Sequence, residues 1–182
     1  QFYGKKKLLK PGFTYRIFNG YFSDDTSWFS TKTETNIGTT TDMSNINTST
    51  GGTVPLDNSR DQYSVEWFGY FWPKVTGNHT FYINSDDASY LWIGSSALSG
   101  YNTSNCVVNN GGLHGMQKIG GTIYLTENTS YPIRIQFGEN YGGDNCIVSF
   151  TAPGISETSN FYGYTFYGLG NSISYPAESA RI

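Results

Sequence analysis

The chain has 182 residues, enough for one domain with a substantial core, because the fraction of surface buried on folding rises with chain length. Only 14% of the residues are charged, against roughly a quarter in typical soluble domains, and the net charge is -3. A surface of this kind is polar but nearly neutral, which argues against nucleic acid as a partner; Lys5, Lys6 and Lys7 are too few to reverse that and read as a solvated edge.

In chain order, Phe13, Tyr15 and Ile17 alternate with Thr14 and Arg16, predicting a half-buried strand over residues 13–18. Residues 30–60 form a Thr, Ser and Asn tract with few apolar positions, expected to be a surface excursion inside a single domain spanning 1–182. Over 63–72 the alternation returns, with Tyr63, Val65 and Trp67 predicted to face inward and Ser64 and Glu66 outward. Further strands are predicted at 79–84, Ser89–Ile93, 122–126, 132–137 and 146–151, and in the aromatic run 161–167. Trp28, Trp67 and Trp72 are assigned to the core. Short strands joined by Gly and Asn turns, with no long amphipathic helix, predict an all-β sandwich or barrel. No apolar run approaches the roughly 20 residues needed to cross a bilayer, so no membrane insertion by this domain is expected.

Four acceptor sequons begin at Asn47, Asn78, Asn102 and Asn128 and suggest secretion. No signal peptide is read at Gln1, so the chain is expected to be a processed or excised piece of a longer protein. In an oxidising compartment Cys106 and Cys146 are expected to pair as a disulfide; two buried thiols are the alternative.

Two carboxylates, Asp86 and Asp87, interrupt two apolar strands. Neighbouring strand residues point to opposite faces, so both can meet one ion only if the backbone turns sharply or departs from trans geometry. A calcium ion would favour such a pair, since it takes six to eight oxygen ligands; an ordinary Asp-rich turn is the competing reading. A second loop, 138–145, follows one apolar strand and precedes another, and it is rich in oxygen donors and glycines. The glycine-rich stretch 109–115 has no phosphate-loop spacing and reads as a loop bordering a binding site.

Taken together, Tyr70-Phe71-Trp72-Pro73, Gly77, Thr80-Phe81-Tyr82, Ser85-Asp86-Asp87, Leu91-Trp92-Ile93-Gly94 and Tyr131-Pro132-Ile133-Arg134-Ile135 resemble, in order, the GLEYA adhesin domains of yeast. These belong to the β-sandwich family named after the anthrax toxin protective antigen. The resemblance implies an antiparallel β-sandwich with calcium- and sugar-binding loops at one end. It implies a non-catalytic, calcium-dependent lectin of a fungal cell-wall adhesin, secreted as part of a longer anchored protein. Asp86 and Asp87 match the family's cis-linked pair, which binds both calcium and sugar hydroxyls. In relatives an Asn side chain and two later backbone carbonyls complete the protein ligands; the match here is Asn140, with Gly142 and Asp144 supplying carbonyls. A shift of one residue would make Glu139 the first ligand and move the carbonyls to Tyr141 and Gly143. Asp86, Asp87, Asn140, Tyr141 and Asp144 are the implied sugar contacts, with residues 114–118 also flanking the ion. The expected partner is a terminal galactose, mannose or N-acetylglucosamine of a surface glycan, met by a monomeric domain presented in many copies. The Cys106–Cys146 disulfide would brace this site.

Two rivals stand beside that reading. A glycosidase could use two of Asp86, Asp87, Glu139 and Asp144, but carboxylates that chelate calcium are held ionised and do not supply a general acid. The other is a structural or protein-binding sandwich in which calcium only stiffens loops.

Overall fold

The computed structural model describes residues 9–46 and 60–168; the predicted sequon at Asn47 and part of the 30–60 tract lie outside the described residues. Among the described residues, twelve strands form two antiparallel sheets. The larger contains β1 (Leu9–Pro11), β2 (Phe13–Asn19), β3 (Asn36–Thr40), β4 (Tyr63–Phe71), β6 (Ser89–Ile93), β7 (Val108–Asn110), β9 (Tyr131–Glu139) and β12 (Thr165–Gly168). The smaller has the order β11 (Ile155–Thr158), β10 (Asn145–Ala152), β5 (Gly77–Asp86), β8 (Gln117–Leu125). The expected all-β sandwich is what the chain forms.

The main core lies between the sheets, because inward positions on every central strand are apolar: Val65 and Trp67 on β4, Phe81 and Ile83 on β5, Ile133, Ile135 and Phe137 on β9, Val148 and Phe150 on β10. Phe71 sits at its aromatic centre, edge-on to Phe81, Phe150 and His79.

The outward face of β4 departs from the prediction. Ser64 and Glu66 are buried, and all nine residues of β4 are shielded. A second apolar cluster covers this side of the larger sheet, built from Phe18, Phe22 and Phe29 against Tyr90 and Trp92. Glu66 tolerates burial because Arg16 and Arg134 donate to it at 2.8 and 2.9 Å and Gln136 at 2.7 Å. Trp67 is core, as expected, whereas Trp28 and Trp72 are only partly buried.

Four short strands lack a sequence signal: β1, β3, β7 and β11. The tract expected to be a plain excursion contributes β3, which pairs with β2 from Phe13↔Thr40 to Ile17↔Asn36, and it sends Met43 and Ile46 into the core. The predicted strand at 122–126 begins earlier, at Gln117, and runs through Gly120-Gly121. A side-chain carbon at Gly121 would collide with the Val107 carbonyl, so close packing, rather than a turn, requires that glycine.

Replacing the packed ring at the core centre tests this arrangement: Phe71→Ala should lower unfolding free energy by about 3–5 kcal/mol in denaturant titrations.

Candidate functional site

Strand register brings three acids to one end of the sandwich. Asp86 closes β5 and is paired with Asn145, the first residue of β10. Glu139 closes β9 opposite Tyr63 of β4, on the inward side that also carries Ile133, Ile135 and Phe137. The β6–β9 pairing, Ser89↔Phe137, and a hydrogen bond from Gly138 N–H to the Ala88 carbonyl at 2.9 Å set the β5–β6 turn beside Glu139. Asp86, Asp87 and Glu139 each offer a carboxylate oxygen, and these oxygens lie within 4.8 Å of one another. The Asp86–Asp87 peptide bond is cis.

A polar brace underlies the turn. Ser85 donates its hydroxyl proton to the Asp87 carbonyl at 2.7 Å, and its oxygen lies 2.7 Å from the Ser89 hydroxyl. Asn110 Nδ2 reaches Ser85 Oγ at 3.1 Å and the Gln117 carbonyl at 2.8 Å, while Gln117 Nε2 returns a bond to Asn110 Oδ1 at 2.8 Å. The Asp87 carboxylate accepts two main-chain donors, His114 N–H at 3.0 Å and Asn140 N–H at 3.1 Å. The glycine-rich stretch 109–115 therefore reaches Asp87 directly.

Glu139 is different. It is fully buried, and neither carboxylate oxygen has a hydrogen-bond partner among the described residues. Burial, reinforced by the charges of Asp87, Asp86, Asp144 and Asp61, pushes its carboxyl up to about 8. Burial and the neighbouring Asp87 also raise Asp86. His114 is raised although its burial works the other way: both ring nitrogens face carbonyls, of Asn110 at 3.0 Å and Gly115 at 2.8 Å, and Asp87 and Asp86 lie close. Two carbonyls can both be satisfied only by the doubly protonated ring.

The remaining expected residues occupy the loop between β9 and β10. Asn140 turns its side-chain oxygen toward Gln62 Nε2, at 3.5 Å. Tyr141 is 65% exposed, which leaves its ring free to meet a ligand. Gly142 N–H donates to Asp61 Oδ1 at 3.0 Å, and Asp144 accepts a hydrogen bond from the Tyr63 hydroxyl. Sequence reasoning did not assign Asp61, Gln62 or Tyr63 to the site, because their place in it is set by strand pairing and loop contacts, not by any local motif; Asn110 lies in the stretch read as bordering a site. Among the sequons, Asn78 and Asn128 are exposed at the opposite ends of β5 and β9 from the acids, and Asn102 is exposed in the β6–β7 connection.

The expected disulfide is absent. Cys106 and Cys146 are free, because Cys146 faces the core between the sheets whereas Cys106 packs against the cluster on the far side of the larger sheet. Burial pushes both thiols up, which makes them poorly reactive.

The model of the GLEYA domain matches residues 63–152. Over that stretch the chain is similar to the GLEYA domain family. The stretch contains all three clustered acids, together with Asn140 and Tyr141. No curated protein sequence matches the chain. Among solved structures, the Epithelial Adhesin 6 A domain of Candida glabrata, in complex with Galb1-3GlcNAc, is 17% identical with a TM-score of 0.65, over 89% of each chain. The Epithelial Adhesin 9 A domain of the same yeast, in complex with Galb1-4GlcNAc, is 19% identical with a TM-score of 0.64, over 87% of this chain and 90% of that one. An anti-sigma factor domain-containing protein, 15% identical with a TM-score of 0.66 over 86% of this chain, is about twice as long: this chain covers 48% of it. At these identities the likeness is one of fold.

Folded Glu139 keeps its proton to about pH 8 whereas the unfolded carboxyl loses it near the ordinary 4.5, so in chelator stability should fall as pH rises through this window. Melting curves between pH 5 and about 8 should show that slope, and Glu139→Gln should flatten most of it, leaving the smaller contributions of Asp86 and His114. For the thiols, intact mass after unfolding and alkylation should show two modified cysteines without prior reduction. Reductant should leave the melting temperature unchanged.

Proposed function

We propose that this chain is a calcium-dependent carbohydrate-binding domain of a cell-surface adhesin, acting as a lectin on terminal hexoses. The observation that carries the reading is Glu139: a buried carboxylate without a hydrogen-bond partner, facing two further carboxylates, is costly unless it keeps its proton or a cation joins it. The donor set fits calcium, being all oxygen, with three carboxylates that can approach one ion of 2.3–2.6 Å ligand distance. Asp86, Asp87 and Glu139 would hold it, and the carbonyls of Tyr141 and Gly143, which the family resemblance implies when Glu139 is the first ligand, would complete the set. Asn140 then serves through its main-chain N–H on Asp87 rather than through its side chain.

Bound calcium supplies open coordination positions that vicinal sugar hydroxyls can take. The residues of the chain do the rest. Asp86 and Asp87 accept hydrogen bonds from the same hydroxyls, the brace of Ser85, Asn110 and His114 N–H fixes their orientation, and Tyr141 offers an aromatic face to the sugar ring. The A domains of similar fold, crystallised with galactose-containing glycans, support a galactose-type terminus as the first ligand to try. A site that contacts one terminal sugar gains little per copy, so adhesion would depend on many copies presented together on a wall-anchored protein.

The raised carboxyl of Glu139 is a feature that would suit the general acid of a glycosidase. Its complete burial argues against it, since a general acid must touch the glycosidic oxygen. Turnover of chromogenic glycosides, with or without calcium, would contradict the lectin reading.

Calcium titration and a glycan array in calcium and in chelator test the proposal directly. Asp87→Ala should abolish glycan retention, and Glu139→Gln should weaken calcium by at least about tenfold, or about 1.4 kcal/mol. Calcium-independent retention would overturn the reading.

A further inference from the structure

Loop 140–144 has no disulfide to hold it, and Tyr141, Gly142 and Gly143 are exposed. Gly142, at φ 103, occupies a region open chiefly to glycine, so the chain alone sets few limits on this loop. A weak site loses affinity whenever binding must first order such a loop.

Three hydrogen bonds nevertheless tie the loop to the two residues before β4. Asp61 Oδ1 accepts the Gly142 N–H at 3.0 Å, Gln62 N–H donates to the Asn140 carbonyl at 2.8 Å, and Gln62 Nε2 faces Asn140 Oδ1 at 3.5 Å. This anchor is itself fixed. Gln62 has φ 53, unusual for a residue with a side chain, and its carbonyl accepts the Gly20 N–H at 2.7 Å. The next residue, Tyr63, is in register with Glu139 and donates its hydroxyl to Asp144. The loop is thus held at Asn140, Gly142 and Asp144 by consecutive residues 61–63. Tyr141 and Gly143, the residues not so held, alternate with them. Asp61 also acts electrostatically on Glu139, which places it at the same end of the molecule.

We propose that Asp61 and Gln62 are positioning residues of the sugar site: they clamp loop 140–142 so that Tyr141 and the following carbonyls stay beside the carboxylate cluster, and so set which terminal hexose is retained. The inference rests on the carbohydrate-binding reading above. It assigns the selectivity of the site partly to a segment distant in sequence from both acidic loops.

Asp61→Ala removes the acceptor and the charge, whereas Asp61→Asn removes the charge and keeps Oδ1 as an acceptor. Both should be titrated with galactose, mannose and N-acetylglucosamine at saturating calcium, with calcium affinity and Gly142 amide exchange measured separately. Asp61→Ala should weaken the tightest-bound of the three sugars by about tenfold while calcium affinity stays within about twofold, and it should speed Gly142 exchange. Asp61→Asn should restore sugar binding and exchange protection. Should Asp61→Ala fail to fold, Gln62→Ala, which deletes only the side-chain bond to Asn140, should weaken the same sugar by about twofold to threefold and speed Gly142 exchange. Unchanged sugar binding in the folded Ala variant, or an Asn variant as weak as Ala, would overturn the clamp. A wild-type protein that binds none of the three sugars nor any arrayed glycan would instead overturn the lectin reading, and the clamp's role in selectivity with it.

Discussion

Like charges held close together repel, and the end of this sandwich is organised around that fact. At an effective dielectric of about 20, two ionised carboxylates with oxygens about 4.8 Å apart cost on the order of 3 kcal/mol, and Asp86, Asp87 and Glu139 lie within 4.8 Å of one another. Strand pairing brings them together: β5 with β10 places Asp86, β9 with β4 places Glu139, and β6 with β9 sets the turn that carries Asp87. Strand pairing fixes the backbone positions from which the three acids project. Relief must come from within the cluster. Main-chain N–H groups relieve Asp87, a retained proton relieves Glu139, and a cation would relieve all three at once.

The surrounding structure supplies the rigidity that this crowding requires. The larger sheet is covered on both faces, by the main core on one side and the Phe18, Phe22, Phe29 cluster on the other. The Glu66, Arg16, Arg134 and Gln136 group lets β4 and β9 remain buried on their polar side without an unpaired charge on Glu66. Beneath the Asp pair, Ser85, Ser89, Asn110 and Gln117 satisfy one another, so the turn rests on a hydrogen-bonded layer. A disulfide at this end would be redundant for the Asp turn.

How much of this was legible in the sequence depends on whether the information is local. Alternation in 13–18 and 63–72 marks β2 and β4, because the inward positions must be apolar whatever they pack against. The burial of Ser64 and Glu66 was not legible, since it depends on a cover made by residues far along the chain. β3 and β8 were missed or shortened for a related reason: Thr and Gly read as loop until a neighbouring strand explains them. The Asp86-Asp87 pair was readable because it interrupts two strong strands. The two cysteines were misread because spacing does not reveal that they lie on opposite faces of one sheet. Asp61 and Gln62 have no signal of their own, since their role is defined only by the loop they touch.

These differences divide the site into two kinds of precision. The acids are placed by backbone pairing, which changes little when surface residues change, so the geometry offered to a cation is set by the fold. Tyr141 and its neighbours are placed by three hydrogen bonds across a loop, a weaker constraint that single substitutions can alter. If the site acts as proposed, its ion chemistry would persist while its preference among sugars shifts, because the groups that fix charge and those that border the ligand do not depend on the same contacts.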